Sequence, residues 1–427
     1  VGWKQMLYLT ATGRNDWASQ IAGSPSKSFF YPSVGLSWVP SSTWDLGNAF
    51  SYLKLRGSIA SVGLPFPRFL TTPTYEYDAT GKIWKDKTHY PIGDLKPERT
   101  ITYEVGIDAR LWKNISLSAS WYSADTKNQT FDPALPPSSS YTTIYLQTGH
   151  VRNTGVELSL GYSNQWRDFG WSSNFTFSWN KNEIIDLASG ALNPVTGQPL
   201  NLSELDIKGL GKAKYILKQG GTLGDLYTTS DLKFNDNGYV EVDKAGNLLL
   251  TDEGDQIYLG SVFPSENLAW RNDFRYKGIN LGLLFTGRIG GICYSATQAN
   301  MDLYGVSEVS AAARDAGGVL INGREMVDAQ KWYQAIGSQS GLPQYYTYSA
   351  TNFRLQELSL GYTLPRKWFR NKMGLTVSFV GRNLWMIYCK APFDPEAVAS
   401  TGLSYQGIDY FMMPSLRSLG FNVKFEF

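Results

Sequence analysis

The side chains able to do chemistry are few and far apart. The chain has two histidines, His89 and His150, and two cysteines, Cys293 and Cys389. A hydrolytic centre needs a nucleophile beside a base that a third group orients, and no spacing of Ser, His and carboxylate here suggests one. Two histidines without a neighbouring Cys pair give no zinc pattern. Asp252 and Asp255 read as solvated loop charges rather than as an acid and a base. The stretch FNDNGYVEVDKAGNLLL, which starts at Phe234, is rich in oxygen ligands and invites a calcium reading. Lys233 and Lys244 occupy the positions of the first and last ligands, however, and the closing Glu is missing. The residues therefore predict no metal, no cofactor and no enzyme.

What positions these residues is a repeated strand pattern. Leu419, Phe421, Val423, Phe425 and Phe427 alternate with Gly420, Asn422, Lys424 and Glu426 up to the last residue. Such a period-two segment has one oily face and one wet face. The alternation recurs about a dozen times: Ile115, Leu117, Ala119 and Trp121 against Ser116, Ser118, Ser120 and Tyr122, and Trp171, Phe175, Phe177 and Trp179 against Ser172, Asn174, Thr176 and Asn180. Lipid on one face and a wet or plugged lumen on the other account for it, which predicts an all-β, antiparallel transmembrane β-barrel wall. A soluble sandwich also alternates, but it seldom places Trp and Phe in succession on so many strands.

Composition agrees. Aromatic residues make up 14% of the chain and glycines number 42, as interfacial girdles and tight turns require. No uncharged run reaches the ~18 apolar residues of a membrane-spanning helix. A formal charge of +2 with scattered charges leaves no basic stripe for nucleic acid. Val1 to Ala11 lacks the basic start and apolar stretch of a secretory leader and already reads as a strand, so the start is expected to have been cut.

Short connections are predicted from Leu111 to Ile115, Tyr162 to Trp171, Tyr276 to Ile279 and Leu364 to Leu375. Long ones cover about 62–98, 126–150, 183–266, 293–351 and 388–414, the third containing a small hairpin at Phe234 to Leu250. Because bacterial barrels keep short turns in the periplasm and long loops outside, the strand ending at Phe427 orients the rest. Phe353 and Leu355 differ in parity from Leu358, Leu360 and Tyr362, which predicts a β-bulge near Gln356 or Glu357. Cys293 and Cys389 fall just past the outer ends of two strands that a third separates, ~10 Å apart at the ~4.8 Å strand spacing. That exceeds the usual span of a disulfide, so free thiols are expected.

Several phrases, in order, carry a resemblance: RNDW from Arg14, YPSVGLSW from Tyr31, LKLRGS from Leu53, LKPERTITYEVGID from Leu95, VRNTGVEL from Val151, FRLQELSLGYTLP from Phe353, GRNL from Gly381 and DPE from Asp394. With these the chain resembles the C-terminal half of the SusC/RagA family of TonB-dependent outer-membrane transporters. Wall architecture accounts for most of them: Pro365 ends a strand because it lacks a ladder donor, and Asn153 and Gly155 are expected at positive φ.

The resemblance implies a barrel of about 22 strands, with a plug outside this chain, the TonB complex, a SusD-like surface lipoprotein and the barrel-assembly machinery as partners, and outer-membrane lipid around it. It further implies energised import of a large nutrient, glycan first and oligopeptide second; a structural or adhesive barrel is the alternative. Trp332, Tyr333, Tyr345, Tyr346 and Tyr348, in a long outer connection, are the candidate cargo-binding residues, able to stack on sugars, grip a peptide or pack within the loop.

Phe421, Val423, Phe425 and Phe427 are read as the membrane-insertion signal. Deleting Phe427 is expected to lower the amount of protein in the outer membrane far more than deleting a loop residue does; equal surface levels by quantitative immunoblot would end that assignment.

Overall fold

The computed structural model describes residues 1–427 apart from 22, 26, 67–69, 71–74, 87–88, 91–94, 132–140, 142, 188–197, 199–201, 253, 255 and 403–404. Among the described residues one antiparallel sheet dominates. After a two-residue stub at Gly2–Trp3 it runs through β1 (Leu7–Asp16), β2 (Phe29–Trp38), β3 (Phe50–Leu64), β4 (Glu98–Leu111), β5 (Ile115–Phe131), β6 (Leu146–Trp166), β7 (Phe169–Asp186), β8 (Glu266–Tyr276), β9 (Ile279–Ile289), β10 (Asn352–Leu364), β11 (Gly374–Cys389) and β12 (Ser418–Glu426). Each strand pairs with its neighbour in sequence, as in an up-and-down barrel wall.

Register carries the period-two pattern across the sheet. Leu36, Gly57, Val105, Trp121, Val156 and Trp179 lie in one row over six strands. Leu117, Leu160, Phe175, Trp270, Phe285 and Leu355 make a second, and Phe274, Leu281, Leu360, Phe379 and Phe421 a third. The opposite face reads Asp108, Ser118, Ser159, Thr176, Ala269, Thr286 and Arg354. A slip of one residue anywhere would put these charges into lipid. Among the described residues the sheet does not close on itself, since β12 pairs only with β11 and the stub only with β1.

The expected bulge is at Gln356, where Leu355 faces Phe285 and Glu357 faces Leu284. It realigns the oily residues on its two sides. Two connections are tighter than their patterning suggests: β6 runs to Trp166 and β7 starts at Phe169, leaving a two-residue turn where a span from Tyr162 to Trp171 was expected. On the side of the long connections β5 continues to Phe131 and β6 begins at Leu146, leaving 132–145 where 126–150 was expected. Asp125 to Thr130 are polar at every position, because a strand standing in water keeps its ladder without an oily face.

The packed core lies in the outer connections rather than inside the sheet. Tyr215, Leu226, Tyr294, Ala296, Leu342, Tyr346 and Ile408 are buried together, drawing on the segments 187–265, 290–351 and 390–417. A four-stranded sheet of Glu204–Leu210, Ala213–Lys218, Asp225–Thr228 and Ile257–Ser261 forms part of this cap. A three-stranded one joins Thr347–Ser349, Ile292–Ser295 and Ile408–Asp409, tying two connections together. A second cluster, from Phe131 and Val151 to Leu217 and Leu223, roots the cap on β5 to β7.

Three short helices in the cap, α1 (Ala296–Leu303), α2 (Glu308–Asp315) and α3 (Ala329–Ile336), were not expected from strand periodicity. Ser295, Ser307 and Asp328 each accept a bond from the amide three residues on, the pattern of an N-cap.

Phe177 lies between Leu158 and Leu268 on the oily face. Phe177→Lys is expected to destabilise the protein by about 2–4 kcal/mol if it sits near the bilayer midplane, whereas Asn174→Lys and Thr176→Lys on the wet face should have far smaller effects. Folding into lipid vesicles followed by heat modifiability on a gel compares them; equal tolerance on both faces would refute a lipid-embedded wall.

Candidate functional site

On the wet face, charged side chains from neighbouring strands meet in clusters. Arg56 of β3 contacts Glu104 of β4 and lies 3.7 Å from Asp108, which also takes Lys54 at 3.8 Å and the Ser118 hydroxyl at 2.7 Å. Further round, Arg271 of β8 pairs with Asp273 at 2.9 Å and with Glu357 of β10 at 3.3 Å, while Glu357 accepts from Arg382 of β11 at 3.0 Å. These groups are partly exposed, so each pair contributes at most about 1 kcal/mol. Their consequence is a hydrated, mixed-charge inner surface rather than rigidity.

The phrases singled out in the sequence pair with one another in space. RNDW and YPSVGLSW meet where Asp16 holds Arg14 at 2.7 Å and the Tyr31 hydroxyl. LKLRGS supplies the Lys54 and Arg56 that meet Glu104 and Asp108 of LKPERTITYEVGID. In VRNTGVEL, Asn153 and Gly155 are not among the positive-φ residues. Gly155 is required for a different reason, since a Cβ there would come within 2.5 Å of the Tyr122 ring and 2.7 Å of the Trp179 carbonyl.

Three further phrases converge on Arg354, which is 2% exposed at the outer rim of β10. Its guanidinium lies 3.1 Å from Asp394 and 3.2 Å from Glu396, both in DPE, and donates to Asn352 at 3.2 Å. Asn383 of GRNL, at φ 51°, accepts from Arg354 at 3.5 Å and donates to the Ser415 carbonyl at 2.8 Å. Asp394 in turn accepts from the Ser415 amide at 3.2 Å. One buried cation thus latches the connection 390–417 onto the inside of the wall. Burial alone would raise the Asp394 carboxyl, but its bonds to Ser415, the Glu396 amide and Arg354 outweigh that and hold it below the usual carboxylate range.

The five candidate aromatics separate into two groups. Tyr333 and Tyr346 are 7% and 2% exposed, built into the cap core. Tyr348 donates to Gln298 at 2.7 Å and packs edge-on against Phe393. Trp332 and Tyr345 form an edge-to-face pair with ring centroids 6.1 Å apart, and Tyr345 is 37% exposed. Burial pushes the Tyr345 hydroxyl up to about 12 and raises those of Tyr346 and Tyr348, so all three stay neutral at ordinary pH.

His150 Nε2 lies 2.7 Å from Asp125, which also holds Arg152 at 2.9 Å. The side chain of His89 and the whole of Asp255 lie outside the described residues. Cys293 and Cys389 are both free thiols, and burial pushes the Cys293 thiol up to about 12, which makes it unreactive. The Phe234 to Leu250 segment folds as two successive tight turns. In the second, Asp243 accepts bonds from the Ala245 and Asn247 amides, each at 2.8 Å. Its oxygens are engaged within the turn, and among the described residues no group of His, Cys, Asp and Glu is arranged to hold a metal. Phe421, Val423 and Phe425 of β12 and Phe427 just past it are all at least half exposed, with Phe421 edge-on to Phe379 of β11.

A family model described as TonB dependent receptor-like, beta-barrel matches residues 2–263. TonB-dependent receptor P3 of Formosa agariphila is 25% identical over 98% of this chain and 44% of its own length. TonB-dependent receptor SusC of Bacteroides thetaiotaomicron is 20% identical over 78% of this chain and 32% of its own. A solved structure of the RagAB peptide transporter superposes with a TM-score of 0.72 at 20% identity, over 99% of this chain and 46% of that one. The chain spans under half the length of the curated relatives it matches.

Arg354→Met leaves Asp394 buried without its cation and is expected to destabilise the rim by about 3–5 kcal/mol, with Asp394→Asn milder and the double variant well short of additive. Because the Asp394 carboxyl is depressed, its stabilising contribution is present above the unfolded carboxylate pKa and fades as pH falls through the folded one. Heat modifiability on gels and limited proteolysis within 390–417 are the readouts; unchanged cleavage in Arg354→Met would dismiss the latch.

Proposed function

This chain belongs to the TonB dependent receptor-like β-barrel family, and from that membership in the outer membrane we propose that it is part of an active importer of a large nutrient. The observation that carries this reading is the pairing of a hydrated, charge-lined inner face with a folded outer cap latched to it through Arg354. A wet interior suits passage of polar cargo, and a packed cap suits selection of it. We infer that the ring is completed to about 22 strands around a plug supplied outside this chain, that the TonB complex energises opening from the periplasm, and that a SusD-like surface lipoprotein covers the outer side. Glycan is the leading cargo and oligopeptide the second. Of the candidate aromatics, Trp332 and Tyr345 are the pair available to stack on cargo, and Tyr333, Tyr346 and Tyr348 support the cap beneath them. Phe421, Val423, Phe425 and Phe427 are proposed to present the barrel to the assembly machinery.

The alternative is a structural or adhesive barrel, which moves nothing. Uptake of labelled oligosaccharide or oligopeptide by cells carrying the protein is expected to stop when the inner-membrane proton gradient is collapsed. Trp332→Ala with Tyr345→Ala should weaken cargo binding by about 1 kcal/mol per ring. Uptake insensitive to the gradient, or no difference between cells with and without the protein, would favour the passive barrel.

A further inference from the structure

The end of the wall that carries the short turns is strongly basic. Five of its six connections, the residues 4–6, 112–114, 167–168, 277–278 and 365–373, hold Lys4, Lys113, Arg167, Lys277, Arg366, Lys367, Arg370 and Lys372; only 39–49 lacks a cation. All eight are exposed. Across the six connections the carboxylates are Asp45 and Asp168, which leaves 31 cations against 35 carboxylates in the rest of the chain. Among the described residues only Arg366 of the eight has an ion-pair partner, Glu426 at 3.7 Å.

Turn geometry does not explain these residues. Lys4, Lys113, Arg167, Lys277 and Arg370 stand at φ of 48°, 66°, 53°, 45° and 53°, a conformation that favours Gly and Asn and that hairpin turns ordinarily fill with them. A long cation there gains nothing from the turn conformation itself. Beside the cations stand exposed aromatics: Trp3, Trp112, Trp166, Tyr276 and Trp368 are 57%, 61%, 46%, 48% and 63% exposed. Lys4 lies over the Trp3 ring at 5.0 Å and Lys277 over Tyr276 at 5.3 Å. Trp3, Trp166 and Tyr276 extend the oily face, so they mark the depth at which acyl chains give way to headgroups. The cations lie beyond these rings around the wall, and among the described residues seven of the eight have no carboxylate partner.

We propose that this rim is a binding belt for anionic phospholipid of the periplasmic leaflet, each Lys or Arg reaching a headgroup phosphate while the adjoining ring anchors at the interface. Charge complementarity and continuity with the lipid-facing wall favour lipid over a periplasmic protein. The belt is independent of which cargo is carried.

The test uses the protein isolated from its own membrane and placed in nanodiscs of phosphatidylcholine with or without phosphatidylglycerol, with retained lipids counted by native mass spectrometry. Phosphatidylglycerol should be enriched about tenfold or more over phosphatidylcholine, and salt should weaken the preference. Lys113→Gln, Lys277→Gln and Arg370→Gln together should bring the enrichment to within about twofold of unity, whereas Lys113→Arg, Lys277→Arg and Arg370→Lys should keep it and so separate charge from folding. Lys244→Gln, on the outer hairpin, should change nothing. Undiminished enrichment in the triple glutamine variant overturns the proposal, as does a glutamine variant that loses binding of a periplasmic protein while its lipid preference is intact.

Discussion

A backbone amide exposed to hydrocarbon has no water to bond, so every N–H and C=O at membrane depth must find its partner within the sheet. The wall follows from this. The ladder from β1 to β12 is antiparallel between neighbours throughout. At Gln356 the displaced residue lets Arg354 and Glu357 both face inward. The same requirement applies at both edges of the sheet, where among the described residues β12 and the first strand each have an unpaired side.

Once the backbone is committed, side chains divide the work by face. The oily rows need only volume and apolarity, since lipid is an undemanding neighbour. Inner rows carry opposite charges on adjacent strands, as with Arg56 and Glu104 or Arg382 and Glu357, and these set cross-strand partners more than they add stability. Arg354 differs in kind. It is buried with two carboxylates and two asparagines, so its bonds cannot be exchanged for water, and it joins wall to cap.

The cap obeys the rules of a soluble domain. It has an apolar core, capped helices and small sheets; its three-stranded sheet pairs segments far apart in the chain, such as Tyr294 with Ile408, and its core draws on all three long connections. That is why three long connections behave as one body, and why Tyr346 is inaccessible although its neighbour Tyr345 is exposed.

Alternation, glycine and aromatic content, and the parity break before Leu358 were sufficient to read the wall and its bulge from the sequence, because a period of two is local information. Family membership was legible too, because its phrases are short strand segments. What the sequence could not disclose is which phrase meets which: Arg354, Asn383 and Asp394 are separated by up to 40 positions and look like unrelated fragments until the strands are laid side by side. Gly155 looked like a turn residue, and only its distance to Tyr122 reveals a packing role. The five loop aromatics were equivalent as letters. Burial, which depends on long-range packing of the three connections, decided that Tyr333 and Tyr346 hold the cap together while Trp332 and Tyr345 form its partly open aromatic pair.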